Sequence, residues 1–448
     1  MLSDLVFDAT IPAEQRAIVT PDDSLTWLQL RIRAQEMFGS LQGVRRRRIG
    51  LTFRPEGDSY AALAALHRLE SDVFVIDASL PNDEARQLAK GLRLGALLTK
   101  SSDGSFTRYE VQTLGDEAAW SGHASIVILT SGSTGRPKAA QHSWEGIARP
   151  IRKGALEQSP VWLLSYRPQL YAGLQVMLQC FSDRGTLVIP GPNMDPRACA
   201  NFMANQGVEY VSATPSYWRR LLMFAPREAL RAIPIKQITI GGEVVDQPLL
   251  EQLKRIYPTA RLVHIYATTE LGRCFAVVDG LAGFPTSYLN NVLQDGTELK
   301  VCDGELFVKS KNSMQKYDPL SSQQSSDAEW FATADLVTIV KDRVYFAGRK
   351  SEMINVAGTK VYPAEVERVI RTVPGVFDVR VFGKTSSIAG ELVACEIVPE
   401  KGTDPIVLKE SVSRTCRSEL ASSHQPRSVK FVEKFELSAA GKTVRTKI

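Results

Sequence analysis

Along its first half the chain alternates short apolar runs with stretches of helical period, the rhythm of an α/β protein built on largely parallel sheets. Ile49-Gly50-Leu51-Thr52-Phe53 is a strand candidate, and residues 58–70 after it read as an amphipathic helix. Val73-Phe74-Val75-Ile76 repeats the unit, and Pro81-Asn82-Asp83-Glu84 supplies an acidic helix start. Similar runs at 161–165, 186–189, 210–213, 237–240 and 262–266 extend the series. Between 285 and 347 turn residues separate short strands, as around Gly304-Glu305-Leu306-Phe307-Val308, which predicts a smaller antiparallel, β-rich subdomain. The pattern divides the chain at Arg349: residues 1–349 form a large N-terminal domain, and 350–448 a compact α+β domain of about a hundred residues, a normal size for a small domain.

Composition narrows the class without deciding it. A chain of 448 residues with 44% hydrophobic and 23% charged residues has material for two or three domains. A net charge of +5 suits small anionic ligands and makes no case for nucleic acid. The run of arginines at 45–48 reads as a solvated loop ahead of a strand. The cysteines Cys180, Cys199, Cys274, Cys302, Cys395 and Cys416 are scattered, with no CxxC pair or adjacent histidine cluster. That argues against zinc and disulfides and is consistent with a reducing cytoplasm. No apolar run approaches membrane-spanning length, and no signal-peptide pattern opens the chain.

The most informative string is Thr130-Ser131-Gly132-Ser133-Thr134-Gly135-Arg136-Pro137-Lys138, directly after the apolar run Ile126-Val127-Ile128-Leu129. A buried strand opening into hydroxyls and glycines, closed by a lysine, suits polyphosphate. Glycines let backbone N–H groups approach anionic oxygens, hydroxyls donate further bonds, and the ammonium supplies charge. The spacing is not that of the nucleotide P-loop, which needs a Gly-Lys-Ser/Thr ending.

Further motifs follow in order. Tyr266-Ala267-Thr268-Thr269-Glu270 ends a strand, where α/β sheets gather ligand groups, and alone would be a helix cap with an acidic first turn. Ile240-Gly241-Gly242-Glu243-Val244 is a glycine turn after another strand, and Thr333-Ala334-Asp335-Leu336 places a carboxylate at a strand. Arg349 precedes Lys350-Ser351-Glu352, and Asn355-Val356-Ala357-Gly358 reads as a hairpin, with Pro363 opening a helix. Gly441-Lys442-Thr443 stands near the end; Glu436 occupies the position where a Walker motif needs glycine. Taken together, residues 130–445 resemble the adenylate-forming superfamily of acyl- and aryl-CoA synthetases, adenylation domains and luciferase.

The resemblance implies an ATP- and Mg²⁺-dependent enzyme that condenses a carboxylic acid with ATP to acyl-AMP, releasing pyrophosphate, and passes the acyl group to an acceptor. Thr130, Ser131, Gly132, Ser133, Thr134, Gly135 and Lys138 would hold the β- and γ-phosphates, Thr269 the α-phosphate and Glu270 the magnesium. Tyr266 would stack on adenine, with Gly242, Glu243 and Val244 passing alongside. Asp335 would accept the ribose hydroxyls, and Arg349 would contact ribose or phosphate. Lys442, on a mobile C-terminal domain, would bridge carboxylate and α-phosphate, neutralising charge between two reacting anions. Thr269, Glu270 and Lys442 are thus the expected catalytic set. Tyr171, Gly173, Gly241, Ala267, Arg273 and Cys274 would surround the acyl group, and Asn355, Ala357 and Gly358 would line a thiol tunnel.

Departures from the family pattern carry expectations of their own. Ala267 and Ala334 replace glycines, and Ser351 replaces the usual hinge Asp or Lys. The N-terminal part is shorter than usual. The segment 167–173 lacks both the aromatic-His pair and the Asp that binds an α-ammonium, which argues against an ordinary amino acid and leaves Tyr171 as the gate. Arg273 falls where relatives carry small or apolar residues; it either points to solvent or pairs with a polar or anionic group on the acid. The expected acid is aryl or short-to-medium acyl. Free CoA is the first acceptor, since no carrier-protein domain follows Lys442; a separate acyl carrier protein and an amine are the alternatives. A degraded, non-catalytic nucleotide-binding relative is the reading from another class.

Overall fold

The computed structural model describes residues 2–100, 109–115, 117–130, 138–152, 159–192, 194–318, 329–386 and 390–435. Two parallel-rich sheets form its larger part. In the first, the parallel strands Ala96–Lys100, Arg48–Phe53, Asp72–Asp77 and Ser125–Thr130 lie side by side. Lys138–Ser143 runs antiparallel beside Ser125–Thr130, Lys316–Tyr317 completes that edge, and Tyr109–Thr113 closes the other. In the second, Arg16–Val19, Thr186–Val188, Val161–Leu164, Tyr210–Ala213, Gln237–Gly241 and Arg261–Thr268 are parallel neighbours, with antiparallel Ser24–Thr26 and Gly272–Val277 at the edges. The uninterrupted apolar runs of the sequence are these central strands, covered on both faces, which removes the need for alternation.

Between the two sheets lies a helical layer. The helix Gly57–Arg68 is buried along residues 57–66, so the amphipathic reading of this stretch is corrected: it packs on Arg48–Phe53 and Asp72–Asp77 and also against the helices Leu2–Val6 and Trp27–Ser40. Tyr60 meets Phe53 edge-on at 5.1 Å, and Trp27 meets Phe181 of the helix Tyr171–Ser182 at 5.0 Å. Burial of this kind contributes about 25 cal/mol for each Å² of apolar surface removed from water.

The arginine run is a solvated turn only at Arg45 and Arg46, which are exposed; Arg47 and Arg48 turn inward. Arg46 pairs with Glu70 at 2.5 Å and Arg47 with Glu117 at 2.7 Å. Arg48 opens a strand, is buried, holds Asp318 at 2.8 Å and stacks over Phe74 at 4.7 Å. Buried charge requires such partners.

The expected β-rich subdomain is an antiparallel sheet of Phe284–Pro285, Arg343–Arg349, Phe331–Val340, Glu305–Lys309 and Glu298–Cys302. After Lys350–Glu352 the chain enters a separate sheet. Its strands are Thr359–Val361, Ile354–Val356, Gly390–Pro399 and Val376–Ser386, with Ser428–Phe431 parallel to Gly390–Pro399. The helices Pro363–Ile370 and Pro405–Glu419 cover it around a core that includes Ile354, Val366, Val381, Ile397 and Val412. No helix of the described residues is long and apolar enough to cross a membrane.

Candidate active site

The hydroxyl-rich loop is the connection between two paired strands. Thr130 and Lys138 face each other across the antiparallel ladder, at 3.5 Å from the threonine Oγ1 to the lysine carbonyl. Ser131, Gly132, Ser133, Thr134 and Gly135 lie outside the described residues, as does Lys442. Lys138 sends its ammonium over the Tyr317 ring at 5.5 Å, and the Tyr317 hydroxyl donates to Glu270 Oε1 at 3.0 Å. The closing lysine of the loop and the glutamate of the second motif therefore meet through one aromatic side chain.

His142, two side-chain alternations beyond Lys138 on the same strand, makes a second link. Its Nε2–H donates to the Thr269 carbonyl at 2.8 Å, fixing the turn that carries Thr269 and Glu270. The ring is buried and lies 5.7 Å from Tyr171. Burial lowers its pKa to about 4, with the Thr269 bond and the Glu270 charge opposing, so it is neutral at pH 7. The segment 167–173 itself carries no histidine, and the imidazole beside Tyr171 comes from a distant strand.

Tyr266 projects from the end of Arg261–Thr268. Its ring stacks at 5.4 Å on Phe275 and 5.0 Å on Phe346, and its hydroxyl donates to Asp335 Oδ2 at 2.6 Å. Arg349 Nε holds Asp335 Oδ1 at 2.9 Å. Burial would lower the Arg349 pKa, but Asp335, Tyr266 and Glu270 outweigh it and raise it. The three downstream motifs consequently form one cluster around a buried carboxylate.

The backbone before Asp335 is strained. Ala334 has a φ of 59°, in the left-handed region where a Cβ costs about 1 kcal/mol. That explains a glycine in the family pattern. Glu305 Oε1 accepts the Ala334 N–H at 2.9 Å, Thr333 donates its hydroxyl to the Leu306 carbonyl at 2.7 Å, and the Asp335 N–H donates back to Thr333 at 3.1 Å.

Other expected residues have structural duties. Glu243 accepts from the Ser216 N–H and hydroxyl, both at 2.9 Å, at the start of the helix Pro215–Phe224, so its carboxylate caps a helix rather than facing open space. Gly242, at φ 85°, makes the exposed turn before it, and Val244 is half-buried just after. Gly241 and Gly173 do not open a cavity. A Cβ on Gly241 would strike Ile265 at 2.8 Å, and one on Gly173 the Arg167 carbonyl at 2.3 Å, because chains cross closely there.

At the expected acyl pocket, Tyr171 begins its helix and its oxygen accepts the Arg273 N–H at 3.2 Å. Ala267 is half-buried opposite Arg273 in the register. Cys274, expected in the pocket wall, is instead fully buried in the cluster with Phe275 and Phe284, and burial pushes its thiol pKa up. Asn355, Ala357 and Gly358 are exposed. Ala357 and Gly358 have φ of 47° and 86°, the double left-handed turn of a tight hairpin, and the Gly358 N–H donates to Asn355 Oδ1 at 2.9 Å.

Two site residues escaped the sequence reading. Tyr317 carries no local signal. His142 carries a weak one: strand alternation from Lys138 places it on the same face. As for a metal, no group of three histidine, cysteine or carboxylate residues stands ready among the described residues. A single hard carboxylate at Glu270 fits Mg²⁺, which takes one or two carboxylates and completes its shell with water and substrate phosphates.

Comparison with known proteins agrees with this geometry. The sequence profile of the AMP-binding enzymes matches residues 8–318, and that of the AMP-binding enzyme C-terminal domain matches 365–442. A 2-succinylbenzoate–CoA ligase of Listeria monocytogenes is 26% identical over 342 residues, 72% of this chain and 69% of its own. The long-chain-fatty-acid–CoA ligase FadD13 of Mycobacterium tuberculosis is 27% identical over 339 residues, 72% of this chain and 66% of its own. These alignments span about two-thirds of each relative's length. In fold, the anthranilate CoA ligase AuaEII with anthranoyl-AMP superposes at a TM-score of 0.80 with 18% identity, covering 99% of this chain and 95% of that one. The chain belongs to the AMP-binding enzyme family, the adenylate-forming enzymes that its motifs resembled.

Proposed function

We propose that this protein is an AMP-forming acid–thiol ligase that activates a small carboxylic acid with ATP and transfers the acyl group to CoA. One observation carries the reading: Lys138, Glu270, Arg349, Asp335 and Tyr266, drawn from four separate motifs, are joined by Tyr317 and by direct contacts into one site. That assembly has a cation for terminal phosphates, a carboxylate for Mg²⁺ and a carboxylate for ribose hydroxyls. The similarity to named CoA ligases supports CoA as acceptor, and an aromatic acid is favoured by the 2-succinylbenzoate and indoleacetate ligases among the relatives.

In the adenylation step the acid's carboxylate attacks the α-phosphorus, the α–β bridging P–O bond breaks, and pyrophosphate leaves. No side-chain nucleophile is needed; the protein's work is positioning and charge neutralisation. Thr130, Lys138 and the loop residues Ser131, Gly132, Ser133, Thr134 and Gly135 hold the leaving phosphates. Thr269 donates to the α-phosphate, while Arg349 and Asp335 fix the ribose side. When bound at Glu270, Mg²⁺ would screen phosphate charge. Lys442 bridges the two reacting anions, and the hairpin at Asn355, Ala357 and Gly358 faces the thiol acceptor in the second half-reaction.

The test is acid-dependent ATP–pyrophosphate exchange across aromatic and aliphatic acids, followed by thioester formation with CoA or an added carrier protein. Exchange is expected with the native chain, and its loss with retained ATP binding in Lys442→Ala. Absence of exchange with every acid would favour a nucleotide-binding protein without catalysis, and undiminished exchange in Lys442→Ala would remove that lysine from the mechanism.

A further inference from the structure

Arg273 sits on the edge strand Gly272–Val277, opposite Ala267 of the Tyr266–Glu270 motif, so the two residues share a face of the sheet. Its backbone is pinned from two sides. The N–H donates to Tyr171 Oη at 3.2 Å, and the carbonyl accepts from Asn312 Nδ2 at 2.8 Å. Gly272 before it, at φ 67°, leaves no room for a side chain: a Cβ would lie 2.6 Å from the Asn312 carbonyl and 3.0 Å from the Tyr171 hydroxyl. The position of Arg273 relative to Tyr171 is therefore fixed by packing.

What this arginine lacks among the described residues is an ion-pair partner. Its side chain is half-buried, yet among the described residues the guanidinium makes no hydrogen bond and no ion pair. Elsewhere the protein does not leave such groups alone: Arg48, Arg219, Arg343 and Arg371 are similarly or more deeply placed, and each holds a carboxylate. Around Arg273, Asp295 lies beyond contact range, and Arg152 adds a second positive charge. Tyr171 and Cys274 beside it are held neutral by burial. The Tyr171 oxygen already accepts the Arg273 N–H, and among the described residues nothing accepts its own proton. A guanidinium fork and a phenolic O–H thus lie near each other with no acceptor among the described residues, an arrangement matched to a carboxylate.

We propose that Arg273, with Tyr171, binds a second carboxylate of the substrate, so that the acid is a dicarboxylate activated at one end and held at the other. This rests on the acid-activation reading above. Arg273 would then set specificity: a site built around a buried charge rejects an analogue that leaves it unpaired far more strongly than a pocket rejects a missing methylene.

The experiment measures kcat/KM in pyrophosphate exchange with matched probes, hexanoate against adipate and 4-phenylbutanoate against 4-(2-carboxyphenyl)butanoate. The native enzyme is expected to prefer a diacid over its monoacid by about 100-fold or more. Arg273→Leu should erase that preference by losing the diacid alone, with the monoacid within about threefold of native. Arg273→Lys should keep part of it. Calorimetric binding of ATP shows that each variant is folded, and Arg273→Gln, similar in length but uncharged, decides if the leucine variant is not. A native preference for monoacids, or equal losses for both members of a pair, overturns the assignment of Arg273 while leaving acid activation standing. Exchange with no acid at all overturns both.

Discussion

At the scale of single residues, the site depends on a histidine that touches no expected ligand. His142 is buried, neutral, and donates from Nε2 to the Thr269 carbonyl, while its Nδ1 has no hydrogen-bond partner among the described residues. The carbonyl it holds belongs to the residue expected at the α-phosphate, and Glu270 follows directly. Substituting phenylalanine keeps the ring volume and removes the donor, leaving a buried carbonyl unpaired at a penalty of about 1–3 kcal/mol. His142→Phe is expected to lower kcat in pyrophosphate exchange by roughly 10- to 100-fold, in line with that energy. His142→Gln, which can still donate, should recover part of the loss. Steady-state kinetics with both variants decides: equal loss in the two would show that ring packing, not the bond to Thr269, is what the turn requires. His142 was not legible in the sequence because its contact with Thr269 spans 127 positions.

At the scale of elements, the small C-terminal unit is joined to the large one by a buried ionic cluster. Arg219, on the helix Pro215–Phe224, and Asp246, capping the helix Gln247–Ile256, come from the large unit. Arg371, just past Pro363–Ile370, meets Asp246 at 3.3 Å, Asp378 at 3.3 Å and Glu367 at 3.5 Å, and Arg219 reaches Asp378 at 3.6 Å. Burial alone would raise the Asp246 pKa, but Arg219 and Arg371 more than offset it and hold it below the ordinary aspartate range. Removing one member strands the others: a broken buried pair costs about 3–5 kcal/mol. Arg371→Met is accordingly expected to lower denaturant stability by about 3 kcal/mol and to speed tryptic cleavage at exposed Lys350, in the segment between the units. Unchanged cleavage together with unchanged stability would show that this cluster does not fasten one unit to the other. Apart from Glu367, none of its members belongs to a motif, so nothing short of the packed helices reveals it.

At the scale of the whole molecule, the strands were legible because sheets covered on both faces need unbroken apolar runs, and residues 73–76 and 126–129 have them. Burial of the helix Gly57–Arg68 was not legible, since its sequence does not say that the helices Leu2–Val6 and Trp27–Ser40 pack against it as well as a sheet. Arg47 and Arg48 looked solvated because their carboxylate partners, Glu117 and Asp318, are distant in the chain. The same long-range packing sets how stability responds to acid. Burial lowers the pKa of both His67 and His142 from 6.5 to about 4 and also lowers that of His264. Between those values the unfolded chain binds protons that the folded chain refuses, so stability rises with pH across the window and falls as pH drops from 6.5 towards 4. At 1.4 kcal/mol per unit, His142 alone accounts for about 3 kcal/mol. Urea midpoints are therefore expected to decline steadily from pH 6.5 to 4.5. His67→Gln should flatten the decline, as one of the groups that titrate only on unfolding is gone. A flat profile down to pH 4.5 in the native chain would mean that these imidazoles accept protons in place, and that the interior around His142 is far wetter than its packing against Tyr171 and Thr269 allows.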